Sequence, residues 1–229
     1  GFDFFFFFLV GLADPLRANA ADAVKQCQAA GIRVVMITGD YPATALAIAR
    51  AAGIKTDIAV SGQDIEALDA TALQKHVRHH SVFARIIPAE KLRIIEALKA
   101  NGEIVAMTGD GVNDAPSLKA AHIGIAMGGR GTDVAREASA LVLLDDDFGA
   151  IPTAIRLGRR IFDNLRKAMG FILAIHIPIA GLALFPLLFG LPPILGPVHI
   201  AFLELIIDPV CSIAFESEPD DDNIMSRPP

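Results

Sequence analysis

Apolar positions follow two different patterns along the chain. Up to about residue 167, short apolar runs alternate with amphipathic stretches; beyond it, apolar residues run almost unbroken. In the first part, Phe4–Leu12 is nearly continuously apolar and predicts a buried strand. Ile32–Ile37, Ser81–Ala84, Glu103–Met107, His122–Ala126 and Ala140–Leu144 predict further short strands, and Ile58–Val60 a weak one. Helical spacing falls between them, over Ala18–Ala30, Pro42–Ala52, Ala72–His79, Pro88–Ala100, Ala115–Ala120 and Thr132–Glu137. Ala23, Val24 and Cys27 share one helical face, and Pro88 opens a helix carrying Leu92, Ile95 and Leu98 at steps of three. Helices alternating with fully buried strands predict an α/β domain over residues 1–150: a parallel, Rossmann-like sheet flanked by helices. Ligands of such sheets bind at the carboxyl ends of the strands.

The second pattern predicts membrane helices. Ala168–Gly190 contains one ionisable residue, His176. After a Pro/Gly-rich break, a second apolar run covers Val198–Phe215, or starts at Ile194 on a generous reading. Crossing the hydrocarbon core takes about 20 apolar residues, so the two runs predict a transmembrane hairpin over 168–215. Arg156, Arg159, Arg160, Arg166 and Lys167 precede it, on a stalk helix over 151–167, and the inter-helix loop has no charge. The positive-inside rule then places both ends, the α/β domain and the acidic tail 216–229 in the cytoplasm, with the plasma membrane as the expected location.

Composition narrows the field. Hydrophobic residues make up 53% of the 229, and the formal net charge of −6 argues against a nucleic-acid-binding domain. Cys27 and Cys211 support neither a disulfide scaffold nor a zinc site, and imply a reducing compartment. A first residue that is Gly rather than Met reads as a fragment or a processed product.

The chemistry gathers at predicted strand ends. Glu103–Met107 runs into Thr108-Gly109-Asp110-Gly111-Val112-Asn113-Asp114, two carboxylates four apart around a Gly-rich turn that enters a helix. Glycine lets backbone approach a ligand closely, and paired carboxylates with open positions suit Mg2+ carrying phosphate oxygens. Thr38-Gly39-Asp40 ends a second strand and offers a hydroxyl and N–H groups to an anion. Arg85 follows a third, and Lys91 sits in the first turn of a helix, where ammonium and dipole together favour phosphate. This set suits phosphoryl transfer by positioning and charge neutralisation.

These residues resemble the haloacid-dehalogenase-like phosphorylation domain of cation-transporting P-type ATPases, calcium-pump-like branch. The resemblance rests on GLADPLR (11–17), MITGDYPATALAIA (36–49), VFARIIPAEKLRII (82–95), MTGDGVNDAPSLKAAHIGIAMG (107–128), VAREASALVLLDDDF (134–148), IFDNLRKAMGF (161–171) and the ending DNIMSRPP (222–229). It implies ATP as substrate and Mg2+ as cofactor, with Asp110 binding the metal and Asn113 and Asp114 completing the metal and phosphate site. Lys91 would contact the phosphoryl group, Thr38 and Gly39 would hold its oxygens, and Asp14, Asp40 and Arg85 would lie on the nucleotide side. The family phosphorylates the first Asp of a DKTGT motif, which is absent from these residues. The expectation is therefore a fragment that is inactive by itself and works with a missing N-terminal part of the pump.

Within the hairpin, Glu204 and Asp208 stand four apart on one helical face, and Pro209 frees the carbonyl near Leu205. Carboxylates inside a membrane mark an ion path. The resemblance places both at the transported-ion site, with His176 a weaker ligand. Calcium pumps add a glutamate from the first helix, where Ile179 stands here, so a full calcium-type two-ion site is not expected; a single divalent cation, Ca2+ among the choices, is favoured, with proton coupling left open. Membrane lipids are the other expected partner; nucleic acid is not one. Two alternatives stay open: a membrane-anchored phosphatase of the same superfamily with Asp14 as nucleophile, and an inactive truncated remnant that binds metal or nucleotide.

Overall fold

The computed structural model describes residues 16–228. The strand expected over Phe4–Leu12, and Asp14, lie outside the described residues. The chain divides into two compact units, Gly1–Ala150 and Ile151–Pro229.

The first unit alternates helix and strand: α1 (Ala20–Ala29), β1 (Met36–Ile37), α2 (Pro42–Ala51), β2 (Val60–Ser61), α3 (Gly62–Glu66), α4 (Ala70–His79), β3 (Val82–Ala84), α5 (Pro88–Ala100), β4 (Ala106–Gly109), α6 (Ala115–Ala120), β5 (Ile123–Met127), α7 (Asp133–Glu137) and β6 (Leu141–Leu143). Among the described residues the strands form two three-stranded sheets, ordered β1-β3-β2 and β4-β5-β6. Every pairing is parallel, with Ile37 opposite Phe83 and Gly109 opposite Ala126. Parallel neighbours require a crossover between strands, and the helices provide it. All the carboxyl ends therefore share one edge within each sheet.

Strand β1 is shorter than the expected Ile32–Ile37. Its ladder is made with β3, from Met36 N–H to Ser81 O and Thr38 N–H to Phe83 O, so pairing starts only where β3 does. Phe83, Val82, Ile94, Ile95, Ile65, Val77 and Leu118 are fully buried. Each such side chain contributes about 1.5–3 kcal/mol of transfer free energy. One cluster joins Phe83 and Val60 of the first sheet to Met107 and Ala126 of the second, through Ile94, Ile95 and Leu98 of α5. The buried stripe of α5 thus includes Ile94, while Leu92 is only half-buried. The face read on α1, Ala23, Val24 and Cys27, is its buried face.

Helix α3 is absent from the sequence expectation. Its start is a capping box: Asp64 N–H donates to Ser61 Oγ, and Ser61 N–H and Oγ donate to Asp64 Oδ2 at 3.0 and 2.7 Å. Gly62 is required there, because a Cβ would lie 2.5 Å from Arg85 O and 2.6 Å from Glu90 Oε2.

The second unit is built on α8 (Ala150–Leu188) and α9 (Pro197–Glu216). The expected stalk and first membrane run are one continuous helix of 39 residues, which holds Pro178 and Pro186 without a break. Gly190, at φ +68°, turns the chain after it. Both helices are long and apolar enough to span a membrane, and only 6% of each apolar stretch is buried. Ile177, Leu187, Val198 and Leu205 project outward. Phe171 meets Phe215 edge-on at 5.6 Å, pairing the start of one apolar run with the end of the other.

The acidic tail is tied down. Lys167 Nζ reaches Glu218 Oε1 at 2.6 Å and Asp221 at 3.6 Å, and Arg160 pairs with Asp220. Arg159 donates to the Ile224 and Arg227 carbonyls, Asn164 donates to Glu218 O, and Arg227 pairs with Asp163. Ile224 is buried beneath this clasp.

Candidate functional site

The carboxyl ends of β1 and β3 carry the first part of the site. Thr38 Oγ1 donates to Asp40 Oδ2 at 2.9 Å and accepts from Asp40 N–H at 3.1 Å. The hydroxyl is thus folded into its own turn, and must rotate to meet an incoming anion. Gly39 faces open space, with nothing within 4 Å of where a Cβ would be. The neighbouring loop is stitched to this one: Arg85 N–H donates to Asp40 O at 2.9 Å, and Ile86 N–H to Thr38 O at 3.0 Å. Arg85 adopts φ +56°, a left-handed conformation rare for a residue with a side chain. Its guanidinium lies 4.5 Å from the centre of the Tyr41 ring.

The end of β4 carries the second part. After Gly109 the chain runs through Asp110 into a single 3-10 turn, Val112–Asp114, which leads into α6. Asp114 is only 8% exposed. Its Oδ1 accepts from Lys91 Nζ at 2.6 Å, and its Oδ2 from Gly111 N–H at 3.3 Å. A Cβ on Gly109 would come within 2.8 Å of Asp114 Cβ, so the glycine is what lets the acid fold back under the strand end. Asp110 and Asn113 are exposed. The Asp110 backbone carbonyl is held by Thr132 N–H at 2.9 Å, at the N-cap of α7. The structure thus brings Lys91 to Asp114 and Asp40 to Thr38 and the Arg85 backbone.

The two acids of the turn are not equivalent. Asp114 is buried and spent on Lys91 and Gly111, while Asp110 is fixed by its backbone and leaves its carboxylate to solvent. Hard cations take oxygen ligands and Mg2+ keeps several waters, so one exposed carboxylate in the same turn as the Lys91–Asp114 pair is a donor that suits Mg2+. Among the described residues no three His, Cys, Asp or Glu side chains gather into an all-protein metal cage.

A profile for haloacid dehalogenase-like hydrolase matches residues 4–122. The chain belongs to the haloacid dehalogenase-like hydrolases. Among curated proteins, it is 43% identical over 223 residues to calcium-transporting ATPase 1 of Bacillus cereus (strain ATCC 10987 / NRS 248), covering 96% of this chain and 25% of that protein. It is 41% identical over 249 residues to the sodium/potassium-transporting ATPase subunit alpha-B of Artemia franciscana, again covering 96% and 25%. The crystal structure of a zinc-transporting PIB-type ATPase in an E2.Pi state superposes with a TM-score of 0.61 at 30% identity, covering 88% of this chain and 27% of that one. The haloacid dehalogenase-like chain therefore has cation-transporting ATPases as relatives over nearly its whole length, and spans about a quarter of the curated relatives it matches.

The membrane unit of this haloacid dehalogenase-like chain carries the remaining candidates. Glu204 and Asp208 are exposed on α9, one turn apart, with Pro209 next to the second. His176 Nδ1 lies 2.8 Å from the Ile172 carbonyl. A carbonyl only accepts, so Nδ1 carries a proton. The three residues do not form a closed cluster. The sequence pattern does not single out Tyr41 or Thr132. An aromatic before Pro42 reads as a loop residue; the only clue to Thr132 is its N-cap spacing ahead of a short helix.

Proposed function

We propose that the chain is the phosphorylation-domain and membrane-hairpin part of an ATP-driven, cation-transporting P-type ATPase of the calcium-pump-like branch. The observation that carries this reading is the Lys91–Asp114 bridge. It delivers an ammonium group from α5 to the Asp110 turn of β4, on a chain whose relatives are cation-transporting ATPases.

In this reading Lys91 neutralises the phosphoryl oxygens, Thr38 and Gly39 donate to them, and Asp114 aims Lys91 while Asn113 caps the far side. Asp110 offers the exposed carboxylate that would hold Mg2+, with Asp114 adding to its shell through water. Mg2+ would supply charge neutralisation at the phosphate oxygens. Asp40 and Arg85 face the nucleotide, the side to which the resemblance also assigns Asp14. The phosphorylated aspartate and the other ion-site helices belong to the remaining three-quarters of such a machine. Glu204, Asp208 and the carbonyl freed by Pro209 contribute hard oxygen ligands to a divalent cation, with His176 as a minor partner. The basic 151–167 stretch of α8 works as a cytoplasmic stalk that couples the two, and the protein sits in the plasma membrane.

The test is phosphorylation of the protein expressed from its complete gene. Labelling from ATP should require a divalent cation. Asp208→Asn should raise the cation concentration needed by at least about tenfold, and Asp110→Asn should abolish labelling. Labelling that is indifferent to cations and to Asp208→Asn would sink the transport reading.

A further inference from the structure

Strands β5 and β6 are parallel neighbours with Met127 opposite Leu143, so the loops that leave them run side by side. The first loop carries Gly128-Gly129-Arg130-Gly131, and the second carries the acidic turn Asp145-Asp146-Asp147. Resting on the reading of the Asp110 turn as a Mg2+ and phosphate site, we infer that Asp146 is a positioning residue for Asp110. Its carboxylate shapes the 128–131 loop, and the next residue of that loop, Thr132, fixes the Asp110 backbone.

The two oxygens of Asp146 are divided between consecutive amides. Oδ1 accepts from Gly129 N–H and Oδ2 from Arg130 N–H, each at 2.9 Å. Successive N–H groups converging on one carboxylate form an anion nest, and such charge-assisted bonds are about twice as strong as neutral ones. Asp146 is itself held at φ +53°, a left-handed conformation that Asp tolerates better than most residues. Its N–H donates to Leu143 O at 3.1 Å and its carbonyl accepts from the Arg17 guanidinium, so the carboxylate projects from a fixed base. The carbonyls of the same loop are held by Arg136, whose guanidinium donates to Gly128 O and Gly131 O, both at 2.7 Å. The loop is also tight: a Cβ on Gly131 would run into Met127 O. The first N–H beyond this clamp, on Thr132, donates to Asp110 O at 2.9 Å. The Asp110 side chain is exposed, so its aim is set through the backbone that Thr132 holds. Groups that orient a metal ligand without touching the metal are worth about tenfold to a hundredfold in metal affinity.

The experiment titrates the 229-residue chain in detergent micelles by calorimetry, with Mg2+ at saturating orthophosphate and with orthophosphate at saturating Mg2+. Asp146→Asn offers one acceptor oxygen in place of two, and Asp146→Gly offers none. Both replacements accept left-handed backbone, so the lost carboxylate is separated from added strain. Asp146→Asn should raise the half-saturating Mg2+ concentration by about tenfold, and Asp146→Gly by at least as much, while orthophosphate affinity at saturating Mg2+ stays within about threefold of wild type. Arg136→Met, which releases the loop carbonyls, should shift the Mg2+ requirement in the same direction. Asp64→Ala, which weakens the cap of α3 beside the other sheet, should leave the Mg2+ requirement unchanged. An unchanged Mg2+ requirement in both Asp146 variants, an equal weakening of Mg2+ and orthophosphate, or the same shift in Asp64→Ala would overturn the role of Asp146 while leaving the Asp110 turn standing. Wild-type chain that binds no orthophosphate, or binds it without Mg2+, would overturn the site, and this role with it.

Discussion

Asp114 is the residue that organises the site, because a carboxylate so deeply buried must be paired. Lys91 and Gly111 supply that pairing, and removing the ammonium leaves an acid in a low-dielectric place without its counter-charge. Lys91→Met should cost about 2 kcal/mol, lowering Tm by about 5 °C in a thermal melt. Asp110→Asn should change stability by less than about 0.5 kcal/mol, since that side chain meets solvent. A single melt series thus separates the buried supporting acid from the exposed acid that the proposed function makes the Mg2+ ligand. Gly109→Ala should resemble Lys91→Met, because the new methyl would displace Asp114. The spacing of Thr108–Asp114 singles out both acids in the sequence, and Lys91 is singled out separately by Pro88-Ala89-Glu90-Lys91 at a helix start. Their division of labour was not legible, because two aspartates in one turn look alike until burial distinguishes them.

Among the elements, α3 depends most on its cap. Asp64→Ala removes the carboxylate half of the Ser61 capping box, the acceptor of the Ser61 N–H and Oγ, and should cost about 1 kcal/mol, read as faster amide exchange over Gly62–Glu66. Hydrogen bonds from Ser61 hold the Asp64 carboxyl below its ordinary 3.8. A depressed acid stabilises fully above its unfolded value and loses that contribution as pH falls through the folded one. Protection of α3 should therefore persist down to pH 3.8 and fade below it, in a pH series of amide exchange. The Ser61-Gly62-Gln63-Asp64 spacing is a capping signal readable in the sequence, but five residues give too little periodicity to show a helix. The boundaries of α5 and α6, each opened by a proline in its first turn, match the sequence reading because proline fixes where a helix can start. Strand lengths do not, because pairing is decided by the neighbour: β1 contracts to the two residues that β3 can meet. The stalk and first membrane run read as separate pieces because their surroundings differ, yet backbone hydrogen bonding is indifferent to that change and α8 runs through it.

At the scale of the whole chain, two units serve one machine on the reading proposed here, and each can be probed by itself. In the second unit the tail clasp on α8 is largely electrostatic and its ion pairs are only part-buried, so salt weakens it. The pair with Glu218 raises the Lys167 ammonium above its ordinary 10.5. A raised base stabilises fully below its unfolded value and loses that contribution only as pH climbs through the folded one. The clasp should thus hold through neutral pH and loosen above 10.5. Lys167→Glu should make residues 217–228 faster to cut by protease, and high salt should do the same to wild type. In the first unit the claim that matters most is that Asp110, Lys91 and Thr38 together hold a phosphate through Mg2+. The most direct measurement is calorimetric titration of the purified chain with orthophosphate, with and without Mg2+, beside Asp110→Asn. The account predicts binding that requires Mg2+ and is weakened at least about tenfold by the substitution. Binding that is absent, or that survives both the loss of Mg2+ and the loss of Asp110, would contradict it.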